Sequence, residues 1–323
     1  MDDLLLPGHA EIEQAAKLVY AAMPATPQYS WPLLNAALGT ETWVKHENHT
    51  PTGAFKVRGG LVYLQARRAS GVISATRGNH GQSVGFAARR YGIAATIVVP
   101  HGNSKEKNAA MRALGVTLVE HGKEFQESRE HAVMLAQRDA LHMIPSFHRD
   151  LVCGVATCWM ELLRAQPDLD VLFVPIGQGS EICAAVAARR ALNLRTRIIG
   201  VVSAHALAYK LSFESRSKVE SPVTTLIADG VACRVPDESS LAVISDQVEE
   251  IMAVSDDEVA AAMKLYFTAT HNVAEGAGAA ALAAAMQIRP RLAGLRVGLA
   301  LSGGNVDHDM FAQILSRPAV RTT

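Results

Sequence analysis

From residue 40 onward, hydrophobic and polar positions alternate between two textures: short β-branched runs, each followed by a longer stretch with helical spacing. Thr42–Lys45 precedes a helix expected to begin near Phe55. Val72–Ser74 leads into a helix opening around Asn79 and running through Ala88. Ala95–Val99 is stopped by Pro100, and a helix follows from Ser104 to Leu114. Val116–Val119 is the next strand, with a polar helix over about 123–139. A second series starts after residue 150. Val171–Val174 is almost wholly apolar, as a strand covered on both faces requires. A Gly-containing turn and an Ala-rich helix separate it from a strand at Arg197–Val202. Ser255-Asp-Asp-Glu258 reads as a capping box, and Val297–Leu301 as the last strand. Alternation of this kind predicts an α/β protein with parallel sheets and crossover helices.

The chain has 323 residues, 49% hydrophobic and 19% charged, which suits one large or two ordinary globular domains. Lys plus Arg number 31, as do Asp plus Glu, so no basic face is indicated for nucleic acid or an anionic membrane. The apolar runs are shorter than the ~20 residues of a membrane helix. Met1-Asp2-Asp3 opens the chain with two acids and without an apolar leader core. The four cysteines, at 153, 158, 183 and 233, form no CxxC pair and read as buried thiols. Together these point to a soluble, cytoplasmic protein.

Three strand ends run into turns rich in Gly, Asn, Ser or Thr: Ser74–His80, Gly177–Ser180 and Ser302–Asn305. Such turns, at the carboxyl ends of strands, are where open α/β sheets bind ligands, and helix N-termini offer free N–H groups to anions. Neither a Walker pattern nor a full G-x-G-x-x-G is present. Lys56 follows a Pro/Gly turn and lies between Phe55 and Val57. Burial there would favour the free amine, which can form an imine. The remaining histidines lack the spacing of a ligand set.

Five segments, in order, carry a resemblance. Glu47-Asn-His-Thr-Pro-Thr-Gly-Ala-Phe-Lys56-Val-Arg-Gly59 resembles the lysine motif of the fold type II pyridoxal-phosphate enzymes, the group of threonine and serine dehydratases and serine racemase. Arg77-Gly-Asn-His-Gly-Gln82 is similar to that group's SSGNHGQ loop. Gly177-Gln-Gly-Ser180 stands where the group has a tetraglycine loop, and Ile227–Gly230 and Ser302–Asp307 complete the series. The resemblance implies a tryptophan-synthase-β-like fold of two parallel-sheet α/β domains, with pyridoxal 5'-phosphate in the cleft between them. Residues 1–50 and 149–323 would form the large domain, and 51–148 the small one. It implies that Lys56 is the catalytic lysine attached to the cofactor and that Phe55 packs beside it. Asn79 would bond the ring hydroxyl, and Gly177, Gln178, Gly179 and Ser180 would hold the phosphate. Ser302 would face the pyridine nitrogen, and Glu275 would lie near the cofactor. Thr76, Arg77, Asn79 and His80 would bind the substrate. No metal is expected, because 200–208 has no carboxylate. A homodimer or homotetramer is implied.

A serine hydroxyl cannot keep a pyridine nitrogen protonated as a carboxylate would, which suits prompt β-elimination better than a long-lived carbanion. Arg77 replaces the serine that serves racemases as the opposite-face proton carrier, and guanidinium is a poor proton shuttle. It could pair with a protein acid, neutralise charge near the entrance, or recognise a second substrate carboxylate. The expected activity is dehydration and deamination of a small hydroxy-amino acid, L-threonine first and L-serine second, by a short form without a C-terminal regulatory domain. The alternatives are a 3-hydroxyaspartate dehydratase, an osmolyte-catabolic dehydratase, a β-replacing synthase, and a non-catalytic amino-acid sensor on the same scaffold.

Overall fold

A computed structural model describes residues 6–67 and 69–317; Met1–Leu5, with the two leading acids, lie outside the described residues. The strands are β1 Gln28–Ser30, β2 Glu41–His46, β3 Gly71–Ala75, β4 Ala94–Val99, β5 Thr117–Glu120, β6 His142–Met143, β7 Val171–Pro175, β8 Arg197–Ser203, β9 Glu250–Val254 and β10 Arg296–Leu301. The helices are α1 His9–Tyr20, α2 Pro32–Leu38, α3 Lys56–Gln65, α4 Asn79–Tyr91, α5 Lys105–Ala113, α6 Phe125–Arg138 and α7 Arg149–Ala165. They continue with α8 Ser180–Ala191, α9 Ala208–Ser215, α10 Glu238–Gln247, α11 Asp256–Thr270, α12 Gly276–Gln287 and α13 His308–Ser316.

Two sheets result. One runs β5-β4-β3-β6 and is parallel throughout; the other runs β1-β2-β10-β7-β8-β9. The strand pairs of the second are parallel except at its edge, where β1 pairs antiparallel with β2. That antiparallel edge was not expected from the alternation, since three residues carry too little pattern to register. β3 and β7 are buried at every position, because helices cover both faces of a parallel sheet. The predicted capping box is present: Ser255 Oγ accepts from the Glu258 N–H at 3.3 Å, and Glu258 Oε2 accepts from the Ser255 N–H at 2.7 Å. Helix α12 is buried from Gly276 to Ala285. It has no polar face, which is why its periodicity gave no signal.

The position of α3 follows from close packing at glycines. A Cβ on Gly59 would stand 2.8 Å from the Leu151 carbonyl oxygen of α7, and one on Gly60 would stand 2.9 Å from the Ser83 carbonyl oxygen of α4. Gly154 of α7 likewise lies against the Arg58 carbonyl. With no side chains between them, α4 and α7 clamp the helix that begins with Lys56.

Beneath this helix lies a buried charge cluster. The Arg58 guanidinium donates to Glu47 Oε2 at 2.8 Å and Oε1 at 2.9 Å, and to Glu161 Oε1 at 2.6 Å. Lys45 Nζ reaches Glu161 Oε2 at 2.5 Å, and Thr157 Oγ1 accepts from Arg58 at 3.0 Å. Two cations face two carboxylates, so the cluster is neutral as a set. Burial pushes the Glu161 carboxyl up, but the charges and hydrogen bonds of Arg58 and Lys45 outweigh it and hold that carboxyl below its ordinary value. Removing one member strands a buried charge. Arg58→Met should therefore lower unfolding stability by about 3–5 kcal/mol, measured by denaturant titration. A loss below about 1 kcal/mol would show that the cluster does not hold α3 in place.

Candidate active site

The five motifs, distant in sequence, meet between the two sheets. The turn before Lys56 joins the end of β10: the Phe55 N–H donates to the Ser302 carbonyl at 3.0 Å, and the Gly304 N–H to the Gly53 carbonyl at 2.9 Å. Ala54 and Gly303 form an antiparallel bridge. Gly303 has to lack a side chain here, since a Cβ would lie 2.5 Å from Glu275 Oε1 and 3.1 Å from Ala54 Cβ. On the opposite wall, Asn79 is the first residue of α4. Its Nδ2 donates to Glu275 Oε1 at 2.5 Å, and its Oδ1 accepts from Asn305 Nδ2 at 2.9 Å. Asn305 Nδ2 also donates to the Thr52 carbonyl at 2.8 Å, closing a ring of contacts around Lys56.

Lys56 is half-buried as a residue, with its amine at the inner end. Among the described residues the amine has no hydrogen-bond or ion-pair partner; it lies 4.8 Å from the centre of the Phe55 ring. Burial lowers its pKa, with Glu181 and Glu275 opposing more weakly. His80, the second residue of α4, is 7% exposed, and its Nε2 has no partner. Burial first, then the Lys56 charge, brings its pKa down to about 3, so the ring is neutral. Thr76 is buried and its Oγ1 accepts from the Gly78 N–H at 3.1 Å, shaping the turn before α4. Arg77, in that turn, is exposed and has no acidic partner among the described residues.

Gly177–Ser180 forms the turn from β7 into α8. Gly177 abuts the Gly230 carbonyl oxygen, so the Ile227–Gly230 motif backs this turn. Gly179 has φ +91°, in the left-handed region, and a Cβ there would stand 2.5 Å from Ser240 Cβ. Gln178 is turned aside, its Nε2 donating to Cys233 Sγ at 3.3 Å. What remains is a glycine-lined turn whose backbone N–H groups open onto a helix start, a shape that accepts a phosphate. Ser302, 3% exposed, ends β10 one residue from this wall's contact with Ala54. An unpaired amine, a glycine cradle at a helix start and a buried hydroxyl are the donor set pyridoxal phosphate requires.

Two participants escaped the sequence reading. Lys107 of α5 crosses from the four-stranded side to Asp229 at 2.8 Å and Glu275 at 3.3 Å. Burial pushes its pKa down, and the two carboxylates more than restore it, so it stays charged. Glu181 follows the cradle directly. Neither has a spacing signature, and both are recognisable only once the walls face each other. Among the described residues, no group of three His, Cys, Asp or Glu is placed to hold a metal ion, and no helix is long and apolar enough to cross a membrane.

The pyridoxal-phosphate dependent enzyme family matches residues 20–303. The L-threonine ammonia-lyase of Geobacter sulfurreducens is 34% identical over 288 residues, 88% of this chain and 72% of that protein. The L-threo-3-hydroxyaspartate ammonia-lyase of a Pseudomonas species is 31% identical over 315 residues, 96% of this chain and 99% of that one. The solved structure of maize serine racemase superposes with a TM-score of 0.89 at 26% identity, covering 96% of its own chain and 95% of this one. With fold, site and likeness in agreement, the chain belongs to the pyridoxal-phosphate-dependent enzymes of fold type II, in the ammonia-lyase and dehydratase family.

Proposed function

We propose that the protein eliminates water from a small β-hydroxy-amino acid, L-threonine first and L-serine second, to release a 2-oxo acid and ammonia. The observation that carries this reading is the unpaired Lys56 amine, made less basic by burial and enclosed by the Phe55, Asn79 and Ser302 segments. Bound pyridoxal phosphate supplies the electron sink for the substrate α-carbon. The protein supplies the rest. Gly177–Ser180 bind the phosphate through backbone N–H groups, and Asn79 bonds the ring hydroxyl. Thr76, Asn79 and the start of α4 receive the α-carboxylate, which orients the α-hydrogen towards Lys56. Lys56 Nζ takes that proton and can return it to the β-hydroxyl, which leaves as water; the enamine product then tautomerises and takes up one water to give the 2-oxo acid and ammonia. Ser302 offers the ring nitrogen a hydroxyl, which supports elimination over slower carbanion chemistry. Arg77 in place of a neutral proton carrier supports one-sided proton transfer over racemisation.

A second reading, a 3-hydroxyaspartate ammonia-lyase, is favoured by one feature. Arg77 is exposed in the turn before α4, with no acid paired to it among the described residues. A guanidinium so placed can bind a second substrate carboxylate in bidentate fashion. The relative of the same length and 31% identity is named for that substrate.

Lys56→Ala should remove the protein's visible cofactor colour and lower turnover by about 10²–10⁴-fold or more, in keeping with loss of a proton-transferring group. A colourless wild-type protein after addition of pyridoxal phosphate would contradict the enzyme reading and favour a sensor. Steady-state assays with L-threonine, L-serine and L-threo-3-hydroxyaspartate separate the substrates. The first reading expects Arg77→Ala to change kcat/KM for L-threonine by less than about threefold. A wild-type preference for the dicarboxylic substrate, lost by about 10–100-fold in Arg77→Ala, would replace it with the second.

A further inference from the structure

The four cradle residues are followed at once by an acid. Glu181, second residue of α8, is 4% exposed, and its Oε1 is buried with no hydrogen-bond partner. A carboxylate at a helix start ordinarily gains from the free N–H groups, but here the phosphate would claim them. Burial is the strongest influence on Glu181 and pushes its carboxyl well above the usual carboxylate range; Lys56 opposes this, and Glu47 and Glu275 add to it. Several ionisable groups on the elements packed against α8 are engaged elsewhere. Glu161 of α7 pairs with Arg58 and Lys45, and Cys158 Sγ donates to the Val155 carbonyl. Asp237, the cap of α10, accepts from the Ser240 N–H, and the Tyr209 hydroxyl meets Ser240 Oγ. Among the described residues, Lys56 is the cation whose charge acts on this buried acid, which stands directly after the glycine turn.

We propose that Glu181 is a proton-binding residue of the cofactor cradle, neutral whenever a phosphate occupies the Gly177–Ser180 turn, so that cofactor binding draws a proton from solvent onto its carboxyl. The inference rests on the reading that this turn receives the phosphate. A neutral carboxyl can donate its O–H to an acceptor, whereas a carboxylate would repel the phosphate and lose its own hydration. The linkage has one sign. A group whose proton affinity rises on binding favours binding at low pH, and the advantage is lost as pH climbs through the apoprotein's titration of that group.

The test is a titration of apoprotein with pyridoxal phosphate from about pH 6 to pH 9.5, comparing wild type with Glu181→Gln and Glu181→Met. The dissociation constant of wild type should rise with pH more steeply than that of either variant, by up to about tenfold per pH unit for one linked proton. Pyridoxal, which lacks the phosphate, should show no such difference. Identical pH profiles for wild type and both variants overturn the proposal. Gly179→Val separates this failure from that of the underlying reading. If it leaves the preference for pyridoxal phosphate over pyridoxal unchanged, the phosphate does not sit at this turn and both fall. If it abolishes the preference while Glu181→Gln keeps the wild-type profile, only the role of Glu181 falls. Should both variants misfold, infrared difference spectra of wild type decide, recorded at the pH where affinity declines. A protonated-carboxyl stretch gained on adding pyridoxal phosphate supports the proposal, and no gain overturns it.

Discussion

Everything in the site depends on keeping a lysine amine out of water without giving it a partner. An ammonium in that position is penalised by desolvation, so the amine is biased toward its neutral, nucleophilic form. Holding it there requires a rigid mount. Helix α3 provides one, because Gly59 and Gly60 let α7 and α4 approach its backbone directly. The Ala54–Gly303 bridge then ties the turn before Lys56 to the end of β10. The reactive group sits on the first residue of that helix.

Charge placement around this amine follows a consistent logic. The cluster of Arg58, Lys45, Glu47 and Glu161 is balanced and lies on the far side of α3, so it anchors the helix with little net field on the amine. Lys107 ties Glu275 and Asp229 together across the gap between the sheets, one cation against two carboxylates. Burial pushes the Glu275 carboxyl up, Lys107 pulls it down, and Asp229 pushes it up again. The net shift is upward, and Glu275 Oε1 accepts from the Asn79 amide, which holds that side chain in place. The site is built from side chains positioned by other side chains, on walls that belong to different sheets.

Much of this was legible in the sequence, for identifiable reasons. Strands such as Val171–Pro175 are buried on both faces and so read as uninterrupted apolar runs, and their ends carry the glycine and asparagine turns that form the walls. Helix α12 was not legible because small apolar residues surround it, and β6 was not because two residues cannot show a period. The order of the five motifs announced a common site, but not the contacts within it. That Asn79 meets Glu275 and that Lys107 crosses to Asp229 are consequences of packing between segments over 100 residues apart. Glu181 was invisible for the same reason: a glutamate in a first helical turn looks like an ordinary surface residue until the wall opposite is in place.

Burial lowers the proton affinity of Lys56 before any substrate arrives. Reductive methylation of the apoprotein with a small aldehyde, followed by mass spectrometry of the Lys56 peptide across pH, measures this directly. Lys56 should become reactive at a lower pH than the exposed lysines of the chain. A Lys56 that titrates together with those surface lysines would contradict the account.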